Sequence, residues 1–207
     1  MVPLSPGQCA VIVMAKAPVA GLAKTRLVPA LGAQGAAALA ARMLRHTLAQ
    51  ARAAGLGPVI LAAAPDLDHP AFAEAAASGV ALVPQGEGDL GARMRRAFEC
   101  ALAVHAGALL VGTDAPSLDA ACLRAAQAAL SNHDAVLGPA HDGGYVLIGL
   151  RRAEPSLFDA MPWSTERVLA LTRERLRAAG MAWYELPALH DVDEPADLVH
   201  LRGEGWA

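Results

Sequence analysis

Charge is scarce in this sequence. Of its 207 residues only 18% are charged, and 17 Lys and Arg against 20 Asp and Glu leave a formal net charge of −3. A nucleic-acid-binding surface needs a basic excess or a dense basic stripe; neither is present, so that class is set aside. Cysteine is nearly absent too. Cys9, Cys100 and Cys122 are odd in number and far apart. Without a CxxC or Cys/His ligand spacing, zinc and a disulfide framework are excluded and reduced core thiols remain. No unbroken apolar run reaches the ~18 residues that span a bilayer. The N-terminal segment MVPLSPGQCAVIVMAKAP carries no basic n-region and only a short apolar run, so it does not read as a leader peptide. These absences point to a cytoplasmic protein with no membrane span. Nothing in them bears on oligomeric state.

What is plentiful is apolar sequence, 55% of the chain and much of it alanine. That is enough for one sizeable core, and with no linker or repeat in view residues 1–207 are read as one domain. Apolar runs at 9–15, 58–65, 79–85, 107–116, 133–140, 145–150 and 181–187 read as strands. Between them, 34–53, 69–77, 88–105, 118–130, 154–161 and 164–180 read as helices, and 194–203 as a last one. Strand and helix alternate, which predicts a three-layer α/β/α fold around a mostly parallel mixed sheet.

In such sheets ligands bind beyond the carboxyl ends of the strands. Five polar or glycine-rich segments fall there. The first, "KAPVAGLAKTR", holds Lys16, Pro18, Gly21, Lys24, Thr25 and Arg26. Its backbone N–H groups and cations suit a phosphate chain. It lacks the flanking glycines of a P-loop, and no G-x-G-x-x-G dinucleotide fingerprint occurs. The second, "QGEGDLG", brings Gly86, Asp89 and Gly91, whose glycines would let a flat ligand approach; a loop ending in a helix N-terminal acid accounts for it almost equally well. The third, "GTDAP", puts Asp114 at a strand end, fit for Mg²⁺, while Asp119 is the better cap for the following helix. The fourth, "HDGGY", offers Asp142, Gly143, Gly144 and Tyr145 beside an acceptor, or else a plain hairpin turn. In the fifth, "HDVDEP", Asp191 and Asp193 are two apart in what reads as extended chain. Only one of them is expected to face the site, and Asp193 is chosen, with the other left to solvent or a helix cap. Trp163, Ser164 and Thr165 are either an acceptor-side lid or a helix start capped by Ser164. The remaining histidines, including His200, show no ligand spacing.

Taken in order, K-x-P-x-x-G-x-x-K-T-R-L, Q-G-x-G-D-L-G-x-R-M, G-T-D-x-P, D-G-G-Y-x-L-I-G-L, P-W-S-T and D-V-D-x-P-x-D-L span roughly residues 10 to 200. The set resembles bacterial glycosyltransferases of the nucleotide-diphospho-sugar transferase superfamily, of GT-A fold, some of them tied to arsenosugar biosynthesis. The same layout is similar to nucleotidylyltransferases such as the molybdenum cofactor and phospholactate guanylyltransferases. The resemblance implies a metal-dependent transferase acting on a nucleotide sugar, or on an NTP with pyrophosphate release, and on a small-molecule acceptor. Lys16, Gly21, Lys24 and Arg26 would hold the phosphates, with Lys24 and Arg26 acting in catalysis. Asp114 and Asp193 would hold Mg²⁺ or Mn²⁺. Asp142, near the acceptor hydroxyl, would be a base.

Overall fold

Strand β1 (Cys9–Lys16) divides its side chains between two buried cores. Cys9, Val11, Val13 and Ala15 join one cluster; Ala10 and Ile12 join the other. Period-two alternation in a strand covered on both faces gives this split. The computed structural model describes residues 9–201. The segment before Cys9, part of the leader-peptide reading, and the end of the expected last helix lie outside them.

The sheet has seven strands. They are β1, β2 (Val59–Ala64), β3 (Ala81–Pro84), β4 (Gly107–Val111), β5 (Ala135–Pro139), β6 (Tyr145–Leu150) and β7 (Trp183–Glu185), in the order β3-β2-β1-β4-β6-β5-β7. All pairings are parallel except those of β6, which runs antiparallel to both β4 and β5. The three-layer α/β fold with a mixed sheet is thus as expected. Strand order reverses at β1, which lies between β2 and β4. That switch point opens a crevice at the carboxyl ends of the strands.

One face of the sheet is covered by α1 (Val28–Ala54), α2 (Pro70–Ala77) and α4 (Ala120–Leu130), through residues such as Leu48, Phe72 and Leu123. The other is covered by α3 (Leu90–Leu102) and α5 (Val168–Ala178), through Met94, Phe98 and Leu176, with Phe158 stacked on Phe98. A third, smaller cluster of Leu27, Ala36, Met43 and Val192 sits under the rim loops.

Several boundaries differ from expectation for local reasons. Gly32 breaks α1 with φ 70 and ψ 164, so its regular part starts close to the predicted residue 34. By length and composition alone, Thr25–Ala54 is apolar enough to cross a membrane. Counting unbroken apolar residues misses this, because scattered polar residues interrupt an alanine-rich helix. Its buried residues Met43, Leu44, Thr47, Leu48 and Ala51 recur at helical spacing on one side. The predicted helix at 154–161 is only a 3₁₀ turn at Pro155–Leu157. The last helix is a 3₁₀ segment, Pro195–Leu201. Helix α5 begins at Val168 rather than 164, because Ser164 has φ 63 and cannot be helical.

Candidate active site

The rim segments meet around a cavity of about 810 Å³. Of the residues singled out in the sequence, Lys16, Lys24, Thr25, Arg26, Asp89, Asp114, Asp142, Gly144, Tyr145 and Asp193 line it. Pro18, Gly21, Gly86, Gly91 and Gly143 do not. The four glycines among them shape the surrounding backbone and its packing instead.

Lys24 is at the centre. Its Nζ lies 2.6 Å from Asp114 Oδ1 and 3.0 Å from Asp193 Oδ1, and it also donates to the Val192 carbonyl. The side chain is 8% exposed, against 45% for Asp114 and 42% for Asp193. Burial pulls its pKa down, but the charges and hydrogen bonds of Asp114 and Asp193 outweigh burial, and the net shift is upward. Lys24 therefore does not stand open to solvent as a free phosphate cation. The ammonium is held between the two predicted metal carboxylates. Open cations at the cavity include Lys16, at the exposed end of β1, and Arg26, whose side chain is 63% exposed and only 3.8 Å from Glu194 at closest. An ion pair as exposed as that contributes little.

The opening loop also uses its own donors. Val19 N–H donates to Ala17 O, and Leu22 and Ala23 N–H both donate to Val19 O. Those three groups are engaged within the turn, and Gly21 with φ 80 shapes it. Gly21 itself is outside the cavity lining.

In the second segment Gln85 is the residue that sequence reasoning passed over. It is buried, and its Nε2 donates to Ala15 O at 3.0 Å and Ala62 O at 2.9 Å, joining the ends of β1 and β2. Both amide hydrogens are thus occupied, leaving the amide oxygen as its uncommitted polar atom on a residue that lines the cavity. Arg96 donates to the carbonyls of Gln85 and Glu87 and braces the loop. Gly86 makes room for that guanidinium: a Cβ there would stand 2.7 Å from Arg96 Nη1. Gly91 serves packing as well, since a Cβ would meet the Phe158 carbonyl at 2.4 Å. Asp89 caps α3 by accepting from Ala92 N–H at 2.8 Å. The three residues expected to contact a nucleotide thus have structural duties first. Asp119 caps α4 as expected, accepting from Cys122 N–H at 2.8 Å.

The hairpin turn of the fourth segment and the Trp163–Thr165 segment form one assembly. Asp142 Oδ1 accepts from Gly144 N–H at 2.8 Å, which fixes the carboxylate on the rim. Gly143 carries φ 88, and a Cβ there would meet the Glu166 carbonyl at 2.3 Å. Leu169 N–H donates to Gly143 O, binding the turn to the start of α5. Trp163, Ser164, Thr165 and Glu166 line the cavity, and Tyr145 meets Trp163 edge-on at 6.5 Å. Ser164 caps nothing; Arg167 stands at the cap position of α5 without a side-chain bond. Tyr145 offers the cavity its ring rather than its hydroxyl, which is buried, and burial pushes its pKa up.

The fifth segment departs from the sequence reading. Residues 191–193 are irregular, not strand, and Val192 is fully buried with its N–H donating to Asp114 O at 2.8 Å. Pinned at Val192, the chain turns both neighbours toward the site. Asp193 reaches Lys24. Asp191 lines a side pocket of about 130 Å³ with Asp114 and Asp142. Burial, then the charges of Asp142, Asp193 and Asp114, push Asp191 up to about 6. Asp197, not Asp191, supplies the cap: it accepts from Asp193 N–H at 3.0 Å and Glu194 N–H at 2.7 Å.

Among the described residues no group of three or more His, Cys, Asp or Glu is arranged to hold a metal ion alone. Asp114 and Asp193 nonetheless converge on one cation, the Lys24 ammonium, which stands in for a positive ion between them. Mg²⁺ takes one or two carboxylates and completes its shell with phosphate and water, so this pair fits it when phosphate is the further ligand.

Comparison with known proteins agrees with the fold. A crystal structure from Desulfovibrio desulfuricans G20, provisionally named a nucleotide-diphospho-sugar transferase, superposes with TM-score 0.86 at 30% identity, over 95% of this chain and 87% of that one. A nucleotidyl transferase from Methanothermobacter thermautotrophicus shares the fold at 15% identity, TM-score 0.60, over 94% and 96% of the two chains. So does Rv0371c of Mycobacterium tuberculosis H37Rv in complex with manganese, at 21% identity, TM-score 0.56, over 93% and 97%. No curated protein matches in sequence. The family model described as an uncharacterized protein conserved in bacteria, DUF2064, matches residues 47–165, more than half of the chain, and the protein belongs to that family.

Proposed function

We propose that this protein is a nucleotide-dependent transferase, and specifically a metal-dependent glycosyltransferase that takes a nucleotide-diphospho-sugar donor and a small-molecule acceptor. One observation carries the reading. A single cavity at the sheet's switch point is lined by open cations and by a convergent carboxylate pair. The name of the 30% identical Desulfovibrio protein supports the same substrate class.

In this reading the donor's diphosphate lies against Lys16 and Arg26. Asp114 and Asp193 would hold a divalent cation, which neutralises charge on the leaving diphosphate. Lys16 and Arg26 act most strongly as that charge develops, so they favour the transition state over the ground state. Gln85 lies at the inner wall, and Leu22 and Leu90 give exposed apolar flanks to the same cavity. The acceptor sits by Gly144 and the Tyr145 ring, with Asp142 placed to take its hydroxyl proton. An arsenosugar precursor is one acceptor to include in a screen.

A second reading is a nucleotidylyltransferase, releasing pyrophosphate from an NTP. The fold shared with the Methanothermobacter nucleotidyl transferase favours it, and Lys16 and Arg26 would then grip the β and γ phosphates. Thermal shift with Mg²⁺ plus UDP-sugars, GDP-sugars or free NTPs separates the two. Stabilisation by sugar nucleotides is expected. Stabilisation by NTPs alone, with pyrophosphate released when acceptors are added, would refute glycosyl transfer. Asp114→Ala is expected to remove the Mg²⁺ dependence of nucleotide binding; its survival would remove the metal assignment.

A further inference from the structure

We infer that Lys24 is a displaceable counter-cation, which holds the position between Asp114 and Asp193 until a divalent cation takes it and the ammonium moves onto the nucleotide's phosphates. The inference rests on the proposed nucleotide and metal reading of the site.

The geometry favours an exchange. The ammonium lies 2.6 Å and 3.0 Å from one oxygen of each carboxylate. A magnesium ion bound to those carboxylates would lie about 2.0–2.1 Å from their oxygens. Two cations cannot share that space, because they repel and compete for the same lone pairs. A metal bound through the oxygens that Lys24 contacts takes the place of its ammonium.

The local backbone is suited to leaving. Lys24 is left-handed, with φ 47 and ψ 47, at the start of the 3₁₀ turn Thr25–Leu27 and without a side-chain cap bond. A lysine in that region is strained and persists only where its contacts hold it. Here the holding contacts are the two carboxylates and the Val192 carbonyl. The preceding Gly21 has nothing within 4 Å of a would-be Cβ, so the loop has space around it. The side chain already borders the cavity that would hold the phosphates.

The consequence is reciprocal coupling. Metal alone must evict Lys24 with nowhere favourable for the ammonium to go. Nucleotide alone lacks both the metal and a released Lys24. Together each removes the other's obstacle, so they bind synergistically. Deleting a cation should therefore tighten the binding of another cation.

The test is Mn²⁺ titration of the full chain, read from the electron paramagnetic resonance signal of free Mn²⁺. It is run with and without whichever of UDP, GDP or CDP raises the melting temperature most. In the wild type the nucleotide is expected to tighten Mn²⁺ binding by about tenfold or more, within the range usual for coupled sites. Lys24→Met is expected to bind Mn²⁺ alone about tenfold tighter than wild type, with the nucleotide effect reduced to about twofold. An unchanged or weaker Mn²⁺ affinity in Lys24→Met overturns the exchange. Absence of synergy in the wild type overturns it without any variant. Adding Asp114→Ala to Lys24→Met separates the two levels. Loss of Mn²⁺ binding there, with indifference to Lys24 alone, sinks only the exchange. Mn²⁺ binding indifferent to Asp114, or absent from every protein, sinks the metal reading and the exchange together.

Discussion

Replacing Asp114 by Asn should destabilise the protein more than replacing Lys24 by Met, although both break the same ion pair. The asymmetry comes from where the charge is buried. Lys24 is 8% exposed, whereas Asp114 is 45% exposed and Asp193 42%. Removing the partner of a fully buried charge costs about 3–5 kcal/mol. Exposed pairs contribute about 0.2–1 kcal/mol. Asp114→Asn leaves a buried ammonium that keeps Asp193 at 3.0 Å and the Val192 carbonyl, so its cost falls between these limits, at about 2 kcal/mol. Lys24→Met leaves two carboxylates that water already reaches, and the thioether fills the space of the alkyl stem, so its cost is about 1 kcal/mol or less.

At this chain length 1 kcal/mol moves the melting temperature by about 2–4 °C. Asp114→Asn should then melt about 4–8 °C below wild type, and Lys24→Met within about 4 °C of it. Thermal melts by circular dichroism at neutral pH without divalent ions read both, and the double variant gives the coupling. Because the ammonium is buried, the order should persist at about 1 M salt, where exposed pairs are screened. An Asp114→Asn protein that melts with wild type, or a Lys24→Met protein that is the less stable of the two, would refute the assignment of the buried charge to Lys24.

Other parts of the rim answer to separate tests. Gly143→Ala forces a Cβ to 2.3 Å from the Glu166 carbonyl at φ 88; a loss of about 3 kcal/mol is expected in urea denaturation, with weaker acceptor-side binding because the Trp163–Glu166 turn must shift. Glu185 receives two bonds from Arg173, at 2.8 and 2.7 Å, and one from Trp183 Nε1. The Arg173 bonds chiefly hold its carboxyl below the usual range. A depressed carboxyl contributes stability above the unfolded pKa and loses it as pH falls through the folded one. Glu185→Gln should therefore cost about 1 kcal/mol at pH 7, a gap that closes below about pH 4. Phe98→Ala empties a fully buried place stacked on Phe158, with an expected cost of about 3–5 kcal/mol and little change in ligand-induced stabilisation per bound nucleotide.

Much of this architecture was legible because it depends on local pattern. The continuous apolar run at 9–15 suits a strand covered on both faces, and the two cores bear it out. Asp119 read as a cap because capping is a contact between near neighbours. The antiparallel direction of β6 was less accessible: "HDGG" permits a hairpin, but only the register between β4 and β6 shows where it inserts. At the site, Asp193 lines the main cavity and Asp191 the side pocket beside it, but the strand geometry behind choosing between them fails on two grounds. Residues two apart share a face in a strand, and this segment is not a strand at all. The decisive residue is the one between them, Val192, whose burial under the rim could not be read from an apolar residue in a polar stretch.

The cation cluster in "KAPVAGLAKTR" shows the same boundary from the other side. Composition located the charge, and chemistry suggested phosphate as its partner. Lys16 and Arg26 are exposed and line the cavity. For Lys24 the nearest anions are carried by the chain itself, just past β4 and on the segment before the last 3₁₀ turn. No spacing rule links residues so far apart. What brings them together is the switch point of the sheet, which sets the ends of β1 and β4 side by side, and the buried Val192, which is tethered to Asp114 and carries Asp193 to the same place. A loop that reads as one cationic unit thus divides in two. Two of its charges line the cavity in the open, and the third is paired with the carboxylates of Asp114 and Asp193.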